Sequence, residues 1–256
     1  MTYRTVEFEV TDHVATVRLN RPDRMNSFNQ QMLDEFREIW LRCRTDDDIH
    51  VVVLAANGER AFSTGVDRKD GRTRHPNPWS EDDPGFFLGP KQNRVWKPVI
   101  AAVHGMCAGG AFYWINEADV VICSDDATFF DPHTTYGMVS ALEPAGMLRR
   151  MPFGEVMRIA LFGLDERMSA KRAREIGLVS EIVPRAELDG RAAELARRLA
   201  SKPPLAVQGT VKAVWDSLSM SLHGAREIPL QYPQLVNNAT QVALDAAPRP
   251  EWELRE

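Results

Sequence analysis

Two short stretches carry residues that bring backbone close to a ligand. "AFSTGVD" (Ala61–Asp67) and "AGGAF" (Ala108–Phe112) each follow an apolar run and each place glycine at the bend. Glycine lets the chain turn sharply and lets a bound group approach the main chain. The second stretch also opens a helix-like segment, where unpaired N–H groups and the helix dipole favour negative charge. Two N–H groups from separate loops that converge on one oxygen form an oxyanion hole, and loss of one such donor typically costs about 2.7–4 kcal/mol. A pair of ordinary turns has the same sequence, so the residues by themselves leave both readings open. Neither stretch matches a Walker loop or G-x-G-x-x-G. His104 and Cys107 make an isolated H-x-x-C, short of a zinc ligand set, and read as core packing. No metal site is expected.

The elements that must position these loops alternate. Val14–Leu19 reads as a strand, and Gln30–Arg44 as a helix with Leu33, Phe36, Trp40 and Cys43 at helical spacing. "HVVVLAA" and "KPVIAAVHG" are continuous apolar runs, as expected for strands covered on both faces. "AGGAFYWINE" reads as a short helix, "DVVICS" and "ATFFD" as strands, and Met147–Met151 and Gly154–Phe162 as helices. Ser169 is a helix N-cap with Gly177 at the far end. "LVSEIV" is a strand, and helices follow over 187–201 and 204–218. Helix-like stretches broken by Pro229 and Pro233 and a polar tail close the chain. The order is that of an α/β core followed by a helical appendage. The Gly-, Pro- and charge-rich segment 68–90 carries Trp79, Phe86 and Phe87 and reads as a lid or pocket wall.

Composition narrows the function classes. The chain has 256 residues, 44% hydrophobic and 26% charged, which suits one large globular unit. Its net charge of −5 argues against general nucleic-acid binding. No run reaches the roughly 18 apolar residues of a membrane span. The N-terminus alternates like a strand and lacks signal-peptide order, so a cytoplasmic location is expected. Three cysteines (Cys43, Cys107 and Cys123), odd in number and far apart, read as reduced buried thiols.

Taken together and in order, "VRLNRPDRMNSFNQQMLDEF", "AFSTGVD", "KPVIAAVHGMCAGG", "ADVVICSDDATFFDP" and "MSAKRAREIGLVSEIVP" resemble the crotonase family, the enoyl-CoA hydratase/isomerase superfamily. The resemblance covers roughly residues 5–215. It implies an α/β spiral of ββα units with C-terminal helices, and so a core over 1–200 with a helical trimerisation region over 201–256. It also implies homotrimers or hexamers and acyl-CoA thioester substrates, with coenzyme A as part of the substrate and no further cofactor. The residue before the aspartate of the first loop and the second glycine of the other, here Val66 and Gly110, would donate N–H to the thioester oxygen. Arg24 would meet a phosphate, and Ser63 and Thr64 would border the adenine.

The chain departs from the family at the two hydratase glutamates. Tyr113 stands at the position three residues after the second glycine, and His133 stands after Pro132 in "FFDPH". Tyrosine is a poor base at neutral pH but can donate a proton or hydrogen bond, whereas histidine is suited to be a base. Asp131, two residues from His133, and Glu143 are the candidate supporting carboxylates, and Tyr136 would line the pocket. Three readings follow. The first is an atypical enzyme in which His133 activates water for hydrolytic C–C cleavage of a β-keto acyl-CoA. The second is an enoyl-CoA hydratase or isomerase with substitute residues such as Glu143 and Tyr113. The third is a non-catalytic acyl-CoA-binding protein.

Overall fold

The computed structural model describes residues 3–70, 76–80, 82–227, 229–239 and 252–255. Its strands, in chain order, are β1 (Val6–Thr11), β2 (Val14–Leu19), β3 (Val51–Ala56), β4 (Ala61–Ser63), β5 (Val99–Val103), β6 (Met106–Ala108), β7 (Val120–Ser124), β8 (Thr128–Phe130), β9 (Met168–Ser169) and β10 (Glu181–Val183). They form two sheets. A six-stranded sheet has the order β1-β2-β3-β5-β7-β10, and a four-stranded sheet the order β4-β6-β8-β9. Apart from the antiparallel pairs β1–β2 and β8–β9, neighbouring strands run parallel. Three times in succession the chain lays a strand in the large sheet, then a strand in the small one, then a helix. This is the ββα repetition that the family resemblance implies.

The large sheet is held by apolar burial on both faces. Along β3, Val52, Leu54 and Ala56 join the core that contains Phe36, Trp40 and Cys43 of the helix Gln30–Thr45. The alternate residues Val51, Val53 and Ala55 pack with Leu188, Ala192 and Ala196 of the helix Leu188–Ala200. Both sets have a strand's period of two, which is why the run reads as continuously hydrophobic. Asn29 starts the first of these helices by accepting from Met32 N at 3.1 Å. The cysteines are free and buried, and burial pushes the Cys43 thiol up to about 12. No described helix is long and apolar enough to cross a membrane.

Some boundaries differ from expectation. The helix expected over Met147–Met151 runs instead over Leu142–Met147, with Pro144 in its first turn. Likewise Pro233 does not interrupt the helix Gln231–Ala239 but occupies its first turn. In both, the missing N–H falls where a helix has no internal acceptor to satisfy. The strand expected over "LVSEIV" narrows to β10, with Leu178 and Val179 buried just before it.

Candidate active site

The ends of β4, β6 and β8 meet at one edge of the small sheet. Gly65, after β4, has φ +81°, and a Cβ there would lie 2.7 Å from Gly110 N and 3.1 Å from Ala108 O. The two glycine turns therefore run against each other, and Gly65 is the residue that permits the approach. Amides flanking Val66 are used: Gly65 N donates to Ser63 Oγ at 3.2 Å, and Asp67 N to Phe28 O at 2.8 Å. Among the described residues, no hydrogen bond uses the N–H of Val66 or of Gly110. Gly110 is the second residue of a short helical turn, where an N–H has no intrahelical partner.

Packing fixes this geometry from behind. Phe28, Phe36 and Phe62 surround Trp114, with ring centroids 5.2–6.3 Å apart. A Cβ on Gly110 would meet Phe28 Cε1 at 2.6 Å, so the second loop sits directly on this cluster. The first loop is tied by ions and amides. Asp67 pairs with Arg21 at 2.9 Å and accepts from the N–H groups of Lys69 and Asp70, and Asn26 donates to Ala61 O at 2.9 Å.

A cavity of about 880 Å³ opens in front of both amides. Arg24, Thr64, Val66, Gly110, Tyr113, His133, Tyr136 and Glu143 all border it. His133 follows β8, and its Nδ1 hydrogen-bonds Asp131 Oδ1. Asp131 is fully buried and accepts a second bond from Ser140 Oγ at 2.5 Å. The other imidazole nitrogen, Nε2, stands 3.9 Å from Glu143 Oε1. Glu143 lies buried in the first turn of the helix Leu142–Met147 and accepts from the Tyr113 hydroxyl. Asn116, one residue past the short helix that carries Tyr113, donates to the Glu143 carbonyl at 2.9 Å and ties the two segments together.

These contacts set the charges. The hydrogen bond to Asp131 raises His133 above its ordinary value; burial opposes this, and the charges of Asp131 and Glu143 add to it. Burial raises the Glu143 carboxyl, with the His133 charge and the Tyr113 hydrogen bond pulling the other way. For Asp131, burial acts upward but is outweighed by the bonds from His133 and Ser140, so its carboxyl is lowered. Asp131, His133 and Glu143 also offer three ligand atoms within 4.8 Å of one another, a spacing that could hold a metal ion. In this arrangement the imidazole and Asp131 are bonded to each other instead.

Other expected residues lie elsewhere. Trp79 is 94% exposed and Phe86 is exposed, and neither they nor Phe87 borders the cavity. Phe87 turns toward the core beneath the Arg37 guanidinium, 4.6 Å from its ring centroid. The same segment reaches the cavity through Asp82, Asp83 and Pro84. Ser63 is fully buried and donates to Asn26 O at 2.8 Å, so it shapes the loop from within, while Thr64 faces the cavity. His104 is buried, and burial pulls its imidazole down to about 4, in keeping with core packing. Ser140, Arg21 and Asn26 escaped the sequence reading, because isolated polar residues in loops have no periodicity to mark them.

Comparison with known proteins identifies the family. The family described as enoyl-CoA hydratase/isomerase matches residues 9–242. The (E)-benzylidenesuccinyl-CoA hydratase of Thauera aromatica is 37% identical over 226 residues, 86% of each chain. The carnitinyl-CoA dehydratase of Escherichia coli (strain K12) is 33% identical over 210 residues, covering 80% of this chain and 78% of that one. A crystal structure of an enoyl-CoA hydratase/isomerase from Mycobacterium paratuberculosis superposes with a TM-score of 0.88 at 37% identity, covering 96% of this chain and 94% of that one. The chain belongs to the enoyl-CoA hydratase/isomerase (crotonase) family and is an acyl-CoA enzyme of that superfamily, with hydratase-type relatives.

Proposed function

We propose that this protein adds water reversibly across the α,β double bond of an acyl-CoA thioester, with Glu143 and His133 as its proton-handling pair. The observation that carries the reading is their placement: two titratable groups 3.9 Å apart border the cavity that also holds two unused amides. The thioester oxygen sits between the N–H groups of Val66 and Gly110. Glu143, oriented by Tyr113, takes a proton from water as the hydroxide adds to the β carbon. The charge that develops on the thioester oxygen is held by the two amides. Imidazolium His133 then gives its proton to the α carbon, and the pair resets when Glu143 returns a proton to His133. The raised pKa of His133 makes it the donor in this direction and the base in the reverse, dehydrating direction. Both curated relatives named above are a hydratase and a dehydratase, which supports this choice.

Coenzyme A enters as part of the substrate, with Arg24 near a phosphate and Thr64 near the adenine. We place the enzyme in the cytoplasm as a homotrimer or a pair of trimers. Its helices after residue 200 expose Leu222 and Leu235 for assembly.

A second reading, hydrolytic cleavage of a β-keto acyl-CoA, is favoured by the Asp131–His133 contact, which suits a histidine base. Assays separate the two. Hydration predicts loss of enoyl-CoA absorbance, with kcat/KM falling as pH rises through the His133 pKa, because the donor must be protonated. Cleavage predicts two shorter products and activity that rises through the same pKa. Absence of enoyl-CoA hydration at high enzyme concentration overturns the first reading. Turnover of neither substrate class leaves the protein an acyl-CoA binder.

A further inference from the structure

Three strand ends at the working edge of the small sheet have a task in the reading above: Val66 follows β4, Gly110 follows β6 and His133 follows β8. The fourth strand, β9, runs antiparallel to β8, so the residue at this edge is the one that precedes it, Arg167. Thr128 faces Ser169 and Phe129 faces Met168, and the register continues to place Arg167 across from Phe130. Its guanidinium stands 4.4 Å from the Phe130 ring centroid, and the residue borders the same cavity.

Arg167 is a cation with no carboxylate paired to it among the described residues. Two glutamates share its neighbourhood, and each is held by another arginine. Glu166 takes Arg158 through both oxygens, at 2.6 and 2.7 Å, and Glu155 takes Arg172 at 2.6 Å. Stacking on a ring leaves the edge of a guanidinium free, and that edge presents the paired N–H donors that fit a carboxylate.

The order of strands becomes an order along the substrate. The thioester oxygen lies between the ends of β4 and β6, the reacting carbons come opposite β8, and the next position is β9. Adjacent strands are about 4.8 Å apart, so β9 stands roughly 10 Å from the Gly110 amide before the arginine side chain reaches back. Thr64 follows β4 and its N–H donates to Met25 O at 3.2 Å, next to Arg24, so the two residues assigned to coenzyme A stand at the opposite end of this order. We propose that Arg167 binds a carboxylate at the far end of the acyl chain, so that the preferred substrates are CoA monothioesters of dicarboxylic acids. The inference rests on the acyl-CoA reading of the cavity but not on which reaction follows.

The test is a binding comparison of adipyl-CoA and hexanoyl-CoA, which differ at the distal end and carry no double bond to react. Calorimetry on the wild-type protein is expected to give at least about tenfold tighter binding of adipyl-CoA. Arg167→Gln removes that preference and leaves the Kd for hexanoyl-CoA within about twofold, while Arg167→Lys keeps part of it. Equal wild-type affinities overturn the proposal. So does Arg167→Gln weakening both thioesters alike, the mark of a contact to coenzyme A. A failed hydration assay would remove the proposed reaction without altering either binding outcome.

Discussion

The two sheets of this protein solve different problems. The six-stranded sheet is a scaffold: β3 and β5 are buried along their whole length, and helices cover both faces. The four-stranded sheet has strands of two or three residues, yet three of its ends carry the amides and the imidazole that face the cavity. Stability thus comes from the long apolar strands, while the proposed chemistry sits where short strands stop and backbone groups are left over. The division lets the loops hold unpaired donors and the proposed acid–base pair of buried Glu143 and half-buried His133, because the neighbouring sheet supplies the folding energy those groups do not.

Substitutions sharpen this contrast, in order of their expected effect on turnover. Gly65→Ala should have the largest. Its Cβ would stand 2.7 Å from Gly110 N at a positive φ, so the two loops must separate. Turnover should fall by about 10²–10³, as for loss of one oxyanion donor, with little change in the far-UV spectrum. Asp131→Asn comes next. Without the carboxylate, the His133 pKa drops, so the basic limb of the kcat/KM profile moves to lower pH and activity near neutrality falls roughly tenfold. A profile that does not move would remove His133 from the proton-transfer role. Ile100→Ala, in the scaffold sheet, should have the smallest effect on turnover. It opens a cavity where Ile100 is fully buried, which costs about 2–5 kcal/mol in denaturant unfolding but leaves kcat/KM of the folded protein nearly unchanged. A large loss of activity there would mean that the two sheets are not separable in this way.

The contrast also explains what could be read from the sequence. The long strands of the scaffold sheet announce themselves as "HVVVLAA" and "KPVIAAVHG", and the helix Gln30–Thr45 as a periodic apolar face. Strands as short as β6 and β9 carry too few residues for any period, so their pairing, and hence the place of Arg167, emerges only in three dimensions. The glycine turns were legible because Gly65 and Gly109 need backbone conformations that other residues rarely adopt. Glu143 was harder to place. The helix start at Leu142 buries this candidate carboxylate, and a six-residue helix containing Pro144 has too short an apolar pattern to place it from sequence. The aromatic residues of segment 68–90 suggested a pocket wall by composition, but side-chain direction in the short helix Gly85–Leu88 turns Gly85 and Leu88 inward and leaves Phe86 outside.

The central claim is that the Val66 and Gly110 amides together polarise the thioester carbonyl. Vibrational spectroscopy of a bound acyl-CoA carrying a ¹³C-labelled thioester carbon reads this directly. The claim predicts a C=O stretch at lower frequency in the wild-type complex than in water, moving back toward the solution value in Gly65→Ala. A carbonyl band at the solution frequency in the wild-type complex would contradict it.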